Sequence, residues 1–472
     1  MEFEDDIPPE FNQEKLFEYV KKYSFPRRIG TRGEKIVRKM IYHDFRKIGL
    51  KPQREHFICS LFYSVNFLRI TLLLLLMMIL LMEFVFYLNP IFNLVMFGIF
   101  IFLALFMLRM SQKPHKINWG RNYMSSNLFA FVPAKSYGEN GNLKVQGLIE
   151  EELDEDQTPE DMMQLHDDYE DFLEEEEEVE YGKLPSSTEM NYGNIIISAH
   201  SDSKSQSIPT YTRVILFKNV LILFGILCLL FIIGVILAFL RVPWVWFPLE
   251  IVTSSITVTL SVLTLILFIN KSKNESPGAC DNASGMAVVF ALADYFKKRP
   301  LERFNLYFCQ FGVEEFGQQG ARRFILNRLR FFKRRRTFNF NLDMVGERSE
   351  VKLPIITTVG LTKKPVDPVM MHFIRESADE LDIEIEEINL ATGAHTDRMA
   401  FTKYGYNGID FASRLCAKWT HTPEDTPDKV SPLVMHYACR VICRSIKKMD
   451  VALKNSEFEE PEDAKHLRQA YY

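Results

Sequence analysis

GNIIISAHSDSKSQSIPTYTRVILFKNVLILFG, residues 193–225, decides how the rest of the chain is read. Gly193 to His200 is an almost continuous apolar run that ends in a histidine, the pattern of a central strand buried on both faces. Asp202, two residues on, is placed to accept the second N–H of a ligating imidazole and so fix its tautomer. A dozen residues later the composition becomes that of a bilayer-spanning helix. A strand that ends in metal-site residues therefore runs directly into an apolar excursion.

Working outward, hydrophobic residues make up 47% of the 472, with 39 Phe, and they cluster in blocks. Residues 70–108 are too long for one span and break at Asn89-Pro90, which predicts two helices of about 19 residues across a hydrocarbon core of about 30 Å. Residues 219–240 and 251–269 predict a second pair, joined by RVPWVWFPLE, whose Trp244 and Trp246 fit an interfacial aromatic belt. Glu83 and Glu250 fall near the turn ends, where a carboxylate is expected to snorkel to the interface. The predicted organisation is one domain in three pieces, residues 1–66, 111–212 and 271–472, interrupted by transmembrane hairpins at 67–110 and 213–270.

Two hairpins return the chain twice to one side. That side carries Arg54, Arg109, Lys113, Lys116, Arg121, Arg213, Lys218, Lys271 and Lys273 near the spans, against Arg241 alone at the opposite turns. The positive-inside bias predicts a multi-pass membrane protein whose folded domain faces the cytoplasm. The seven cysteines (Cys59, Cys228, Cys280, Cys309, Cys416, Cys439, Cys443) are odd in number and lack framework spacing, as expected in a reducing compartment. The acidic N-terminus has no apolar core, so no signal peptide is expected. Residues 150–180 hold 18 Asp or Glu and no Lys or Arg, which leaves the rest of the chain at about +13. A basic body suits an anionic membrane surface. The basic run RRFILNRLRFFKRRR (322–336) fits a solvated helix face, a membrane-surface contact or a partner for the acidic insertion. Nothing interleaves aromatics with base-reading groups, so no nucleic-acid partner is expected.

With the hairpins removed, the segments read as α/β. Strand-like runs at 126–134, 193–200, 304–312 and 337–346 alternate with helical stretches at 12–49, 282–300 and 432–450. The alternation predicts a mixed central sheet flanked by helices, with functional groups at the carboxyl ends of its strands. His200, Glu314, Glu315 and Asp343 all sit where a predicted strand ends. Adjacent charges such as Glu314 and Glu315 after an apolar strand are costly without a nearby cation, and a surface turn is the bland alternative. Asp281, in PGACDNASG (277–285), has the alternative role of a helix cap, although Asn282 and Ser284 serve equally well. His421 lies in WTHTPEDTPDKV, a loop closed by prolines. Zinc accepts imidazole nitrogen and carboxylate oxygen, and a two-metal site needs five such side chains plus a base.

SAHSDS, PGACDNASG, GVEEFGQQGARRF, FNLDMVG and WTHTPEDTPDKV, in that order, resemble the motifs of the co-catalytic zinc peptidases of metallopeptidase family 28. Residues 27–57 resemble the family's N-terminal helix and following strand. The resemblance implies a zinc aminopeptidase-like fold, a peptide substrate and two zinc ions per chain. Asp281 would bridge them, with His200 and Asp343 on one and Glu315 and His421 on the other. Glu314 would be the general base that activates water, and Asp202 would support His200. Glutaminyl cyclases with a single zinc, and inactive scaffolds, share the fold and remain the competing expectations. In ATGAHTDRMAF (391–401) the chain departs from the family's Ser-Asp-His with Thr396, Asp397 and Arg398, and His395 is a spare imidazole that rivals His421. Removing roughly 206–275 would restore the family's short loop between His200 and Asp281, so the second hairpin reads as an insertion that a loop tolerates at modest entropic cost.

Overall fold

The computed structural model describes residues 8–111, 119–135, 192–242, 245–360, 362–390 and 395–454. The acidic stretch 150–180, Lys113, Lys116 and Trp244 lie outside the described residues.

Helix α1 (Gln13–Tyr23) starts at Asn12, whose side chain accepts from the amides of Glu14 and Lys15. Then come α2 (Arg32–Lys47), β1 (Pro52–Ser60) and the apolar pair α3 (Leu68–Leu88) and α4 (Asn93–Ser111). Strands β2 (Asn122–Val132) and β3 (Gly193–His200) lead to β4 (Ser205–Gln206) and the second apolar pair, α5 (Thr210–Phe239) and α6 (Trp246–Phe268). The remainder runs β5 (Ser272–Lys273), α7 (Ser284–Lys298), β6 (Phe304–Phe311), α8 (Gln319–Arg328), β7 (Thr337–Leu342), β8 (Leu353–Val359), β9 (Lys364–Pro365), α9 (Pro368–Glu380), β10 (Ile385–Leu390), α10 (Arg398–Thr402), β11 (Asn407–Phe411) and α11 (Pro432–Lys454).

The strands form one mixed sheet in the order β1-β2-β6-β3-β7-β11-β8-β10, with β9 beside β8. Strands β6, β3, β7 and β11 at its centre are parallel. Strand β3 lies between β6 and β7, which explains its unbroken apolar run. Ile195, Ile197 and Ala199 face the core under α1, α7 and α11, while Ile196 faces the smaller core under α8 and α10. The alternating Phe338 and Phe340 of β7 turn to the first core as well. Asn339 and Asn341 point the other way and are buried. Asn339 donates to the Ser198 hydroxyl at 2.8 Å, and Asn341 to Asp410 at 3.0 Å, so both amide nitrogens are bonded across the sheet, whereas Asn339 Oδ1 is buried without a partner.

Four helices, Phe62–Leu88, Pro90–Met107, Thr210–Phe239 and Trp246–Phe268, are long and apolar enough to cross a membrane. They share a core that includes Ile79, Met82, Phe86, Leu227, Phe231 and Leu260. Helix α5 begins at Thr210, well before the apolar run at 219. Glu83 departs from the snorkelling expectation. It is buried between helices and accepts hydroxyl bonds from Thr253 (3.1 Å), Ser254 (2.9 Å) and Thr257 (2.9 Å) of α6. A carboxylate with three donors beside it gains more from them than from reaching the interface.

The necks of both helix pairs join the sheet at one edge. Strand β1 runs toward the carboxyl edge of the central strands and ends there at Ser60, opposite Asn122 of β2. Strand β3 ends there at His200, and the short β4–β5 ribbon, with Ser205 opposite Lys273, closes the neck of the second pair. The basic triplet Arg334–Arg336 immediately precedes Thr337, which pairs with Asn194 at the start of β3. It therefore lies at the opposite edge, away from the apolar helices, and the expectation of membrane-surface contact fails for this triplet.

Candidate active site

Parallel strands β6, β3, β7 and β11 bring their carboxyl ends to one edge. His200 is the last residue of β3, Asp343 follows β7, and Glu314 and Glu315 follow β6. Asp281 enters from the loop before α7, and His421 from the loop between β11 and α11. The Nε2 of His200 lies 3.0 Å from Asp281 Oδ1 and 3.5 Å from Asp343 Oδ1. The Nε2 of His421 lies 2.9 Å from Glu315 Oε2 and 3.3 Å from Asp281 Oδ2. Two groups able to hold a metal result, His200/Asp281/Asp343 and Asp281/Glu315/His421, and they share Asp281.

Buried cross-links hold the loops in place. Arg27, fully buried, donates to the carbonyls of Ser201 (2.8 Å), Tyr23 (2.8 Å), Pro277 (2.5 Å) and Gly278 (2.9 Å), which ties the His200 loop to the Asp281 loop. The Asp425 carboxylate accepts the amides of Cys280 (2.7 Å) and Asp281 (3.1 Å). Gly278 has a φ of +65°, and a Cβ there would meet the Asp281 carbonyl at 2.5 Å, so only glycine fits this turn. Asp202 departs from the expected contact. The atom nearest His200 Nδ1 is its backbone carbonyl, at 3.1 Å, with Oδ1 at 3.6 Å. Its carboxylate instead accepts the amides of Glu314 (3.0 Å) and Glu315 (3.2 Å) and thereby fixes the glutamate pair.

The electrostatics are those of a desolvated acidic cluster. Burial pushes the Glu314 carboxyl well above its ordinary range; His200 opposes the shift, and Asp397, Asp343 and Glu315 add to it. Burial likewise raises Asp343 to about 6 and Asp425 to about 6. For Glu315, burial is outweighed by His421 and Lys204, which hold its carboxyl below the usual carboxylate range. Lys204 Nζ sits 2.7 Å from Glu315 Oε2. Burial lowers the pKa of His421, whereas around His200 the carboxylates of Asp202, Asp281 and Asp343 overcome the same burial and raise it.

The donor set is of a kind that fits zinc. His200 Nε2 and Glu315 Oε1 are buried inside the cluster and make no aligned hydrogen bond, although carboxylate oxygens stand close to the imidazole nitrogen. Converging carboxylates and unprotonated imidazole nitrogens are the ligand types zinc takes, and a divalent cation would relieve their mutual repulsion.

Every residue expected at the site is thus brought to one sheet edge. His395 belongs to neither three-residue group, and its ring is partly exposed. The departure at Arg398 is a buried ion pair with Asp410, at 2.5 Å, beneath the site. Lys204, Arg27 and Asp425 carry no sequence signal of their own, because each acts through contacts with distant segments. HTPEDTPD places Asp425 four residues after His421, the only hint available.

Residues 268–446 match the model of peptidase family M28. Aminopeptidase YwaD of Bacillus subtilis (strain 168) is 29% identical over 163 residues, which cover 33% of this chain and 34% of the relative. The match thus spans about a third of that curated relative's length. Among solved structures, an aminopeptidase from Aneurinibacillus sp. strain AM-1 aligns with a TM-score of 0.49 at 13% identity, covering 94% of this chain and 95% of the other. A glutaminyl cyclase from an Acidobacteriales bacterium aligns with a TM-score of 0.47 at 11% identity, covering 95% and 98%. The family match takes in Asp281, Glu314, Glu315, Asp343 and His421, and over that stretch the chain is similar to M28 peptidases.

Proposed function

We propose that the chain is a membrane-anchored exopeptidase of the aminopeptidase type, with two zinc ions held by His200 and Asp343, by Glu315 and His421, and by Asp281 between them. The observation that carries this reading is the meeting of two complete three-residue groups at Asp281, with the buried carboxyl of Glu314 beside them. Zinc held there supplies Lewis acidity toward a carbonyl and acidifies a water. Glu314 takes the proton of the attacking water and passes it to the leaving amine, and its raised affinity for a proton suits that return step. Asp202, through the Glu314 and Glu315 amides, keeps base and ligand from exchanging places.

The four apolar helices support anchoring in a bilayer, and the cationic residues around their necks support a cytoplasmic domain. The domain then consists of 1–66, 111–212 and 271–472, with the hairpins inserted between. Because the necks and the site share one sheet edge, the site faces the bilayer surface, which favours peptide substrates that lie close to a membrane.

The test is the zinc content of detergent-purified wild type beside Asp281→Ala. About two zincs per chain in the wild type, falling sharply in the variant, supports the reading and justifies screening aminoacyl substrates with Glu314→Gln as the inactive control. One zinc, retained in the variant, points to cyclase-type chemistry, and none to a scaffold.

A further inference from the structure

The ligating imidazole of His421 is held from outside the folded domain. Its Nε2 faces Glu315 and Asp281, while Nδ1 lies 2.8 Å from the hydroxyl of Thr210, in the first turn of α5. An imidazole that ligates through Nε2 carries its proton on Nδ1, and that N–H needs an acceptor. Thr210 Oγ1 is that acceptor. The hydroxyl's own proton points to the carbonyl of Thr420, at 3.3 Å. Arg213, one turn along α5, donates from Nη2 to Thr210 Oγ1 at 3.0 Å and stands 3.3 Å from His421 Nδ1. With Nε2 taken up by a metal the His421 proton is on Nδ1 and Thr210 Oγ1 accepts it; in the tautomer protonated on Nε2, the Thr210 hydroxyl and Arg213 Nη2 donate to Nδ1 instead. The backbone agrees, because the amide of Gln206, just before α5, donates to the carbonyl of His421 at 2.9 Å. His421 itself takes a φ of 65°, unusual for a side-chain-bearing residue, so its loop depends on such outside bonds. Helix α5 also packs on the turn at Leu415–Lys418 that leads into this loop.

We infer that Thr210 and Arg213 are positioning residues for His421, so that the second apolar hairpin is part of the metal centre as well as an anchor. The inference rests on the zinc reading above. Thr210 supplies the acceptor that the Nδ1–H of a ligating His421 needs and so aims Nε2 into the site, and Arg213 keeps the hydroxyl turned toward the ring. His200 has no comparable link, since its Nδ1 meets a carbonyl of its own loop.

The experiment compares full-length wild type, Thr210→Val, Thr210→Ser and Arg213→Gln in detergent. It reads the two zinc affinities by chelator competition and the absorption spectrum of the cobalt-substituted protein. Thr210→Val is expected to weaken one zinc site by about 10- to 100-fold, leave the other unchanged and shift the cobalt spectrum, while Thr210→Ser restores both. Wild-type affinities and an unshifted spectrum in Thr210→Val would overturn the inference while the two-zinc reading stands. Should Thr210→Val fail to fold, Arg213→Gln decides: a several-fold loss at the same single site supports the role, and no loss refutes it. A wild type that binds no zinc removes both the zinc reading and this inference, and is told apart by the wild-type measurement alone.

Discussion

The two imidazoles of the cluster sit within bonding distance of one carboxylate, Asp281, yet they are built in by different means. His200 ends the central strand of the sheet, is buried by the domain's own core, and is steadied by its own loop. His421 lies on a loop with a left-handed backbone and is steadied by the first turn of an apolar helix. The carboxylates beside them differ in the same sense. Asp343, next to His200, is pushed up to about 6 by burial, whereas Glu315, next to His421, is held low by that ring and Lys204 despite its burial. One half of the site is made by a sheet and the other by a contact between a loop and a hairpin.

The largest expected effect is the one that removes the distinction. Asp281→Ala takes the shared carboxylate from both halves, and zinc content should fall from about two to below one per chain by elemental analysis. Glu314→Gln tests the opposite extreme. It should leave both zinc affinities near wild type while kcat drops by about 10²- to 10⁴-fold on an aminoacyl substrate. If that substitution lowers metal content, Glu314 is a ligand and the assignment of base and ligand is reversed.

The metal-free protein separates the halves by the sign of their pH dependence. Asp343 binds its proton more tightly in the fold, at about 6, than at its ordinary 3.8. Between those values the unfolded chain deprotonates first, so stability falls as pH rises through the window and is lower by about 3 kcal/mol at neutral pH. Asp343→Asn should therefore raise the thermal midpoint of the metal-free protein at pH 7 and flatten that slope, while it abolishes zinc binding on the His200 side. Asp425, also at about 6, leaves a second slope of the same sign in that variant. Glu315 is the reverse case, with a folded pKa below its ordinary 4.5. Its contribution is present above that value and is lost as pH falls, so Glu315→Gln should lower the midpoint at pH 7. A gain in midpoint for Glu315→Gln would show that Lys204 and His421 do not stabilise it.

The smallest effect lies farthest from the chemistry. Glu83→Ala leaves the hydroxyls of Thr253, Ser254 and Thr257 without their acceptor and should loosen the packing of α3 on α6 by about 1–2 kcal/mol. Because α6 packs against α5, the His421 side should bind zinc slightly less tightly, with the His200 side unaffected. Equal weakening at both sites would mean that the hairpins support the whole edge rather than one half of it.

Much of this was legible in the chain. The apolar run before His200 marks a strand buried on both faces, because alternate residues must pack against helices above and below it. Glu314, Glu315 and Asp343 announce themselves as charges directly after apolar strands, where water cannot solvate them. The four apolar helices follow from length and composition alone. The edge strand β10 is less distinct: IEEINL is half polar because an edge position needs no second buried face.

The sequence by itself determined the residue types of the site, their order along the chain and the places where apolar helices interrupt them, since solvation penalties act on each segment locally. Only the tertiary structure decided how those residues are held. Arg27 reaches carbonyls of Pro277 and Gly278, Asp425 reaches back to Asp281, and Thr210 meets His421 across more than two hundred positions. Hydrogen bonds of this kind depend on distance and direction in space, and neither is written in the spacing of residues along a chain.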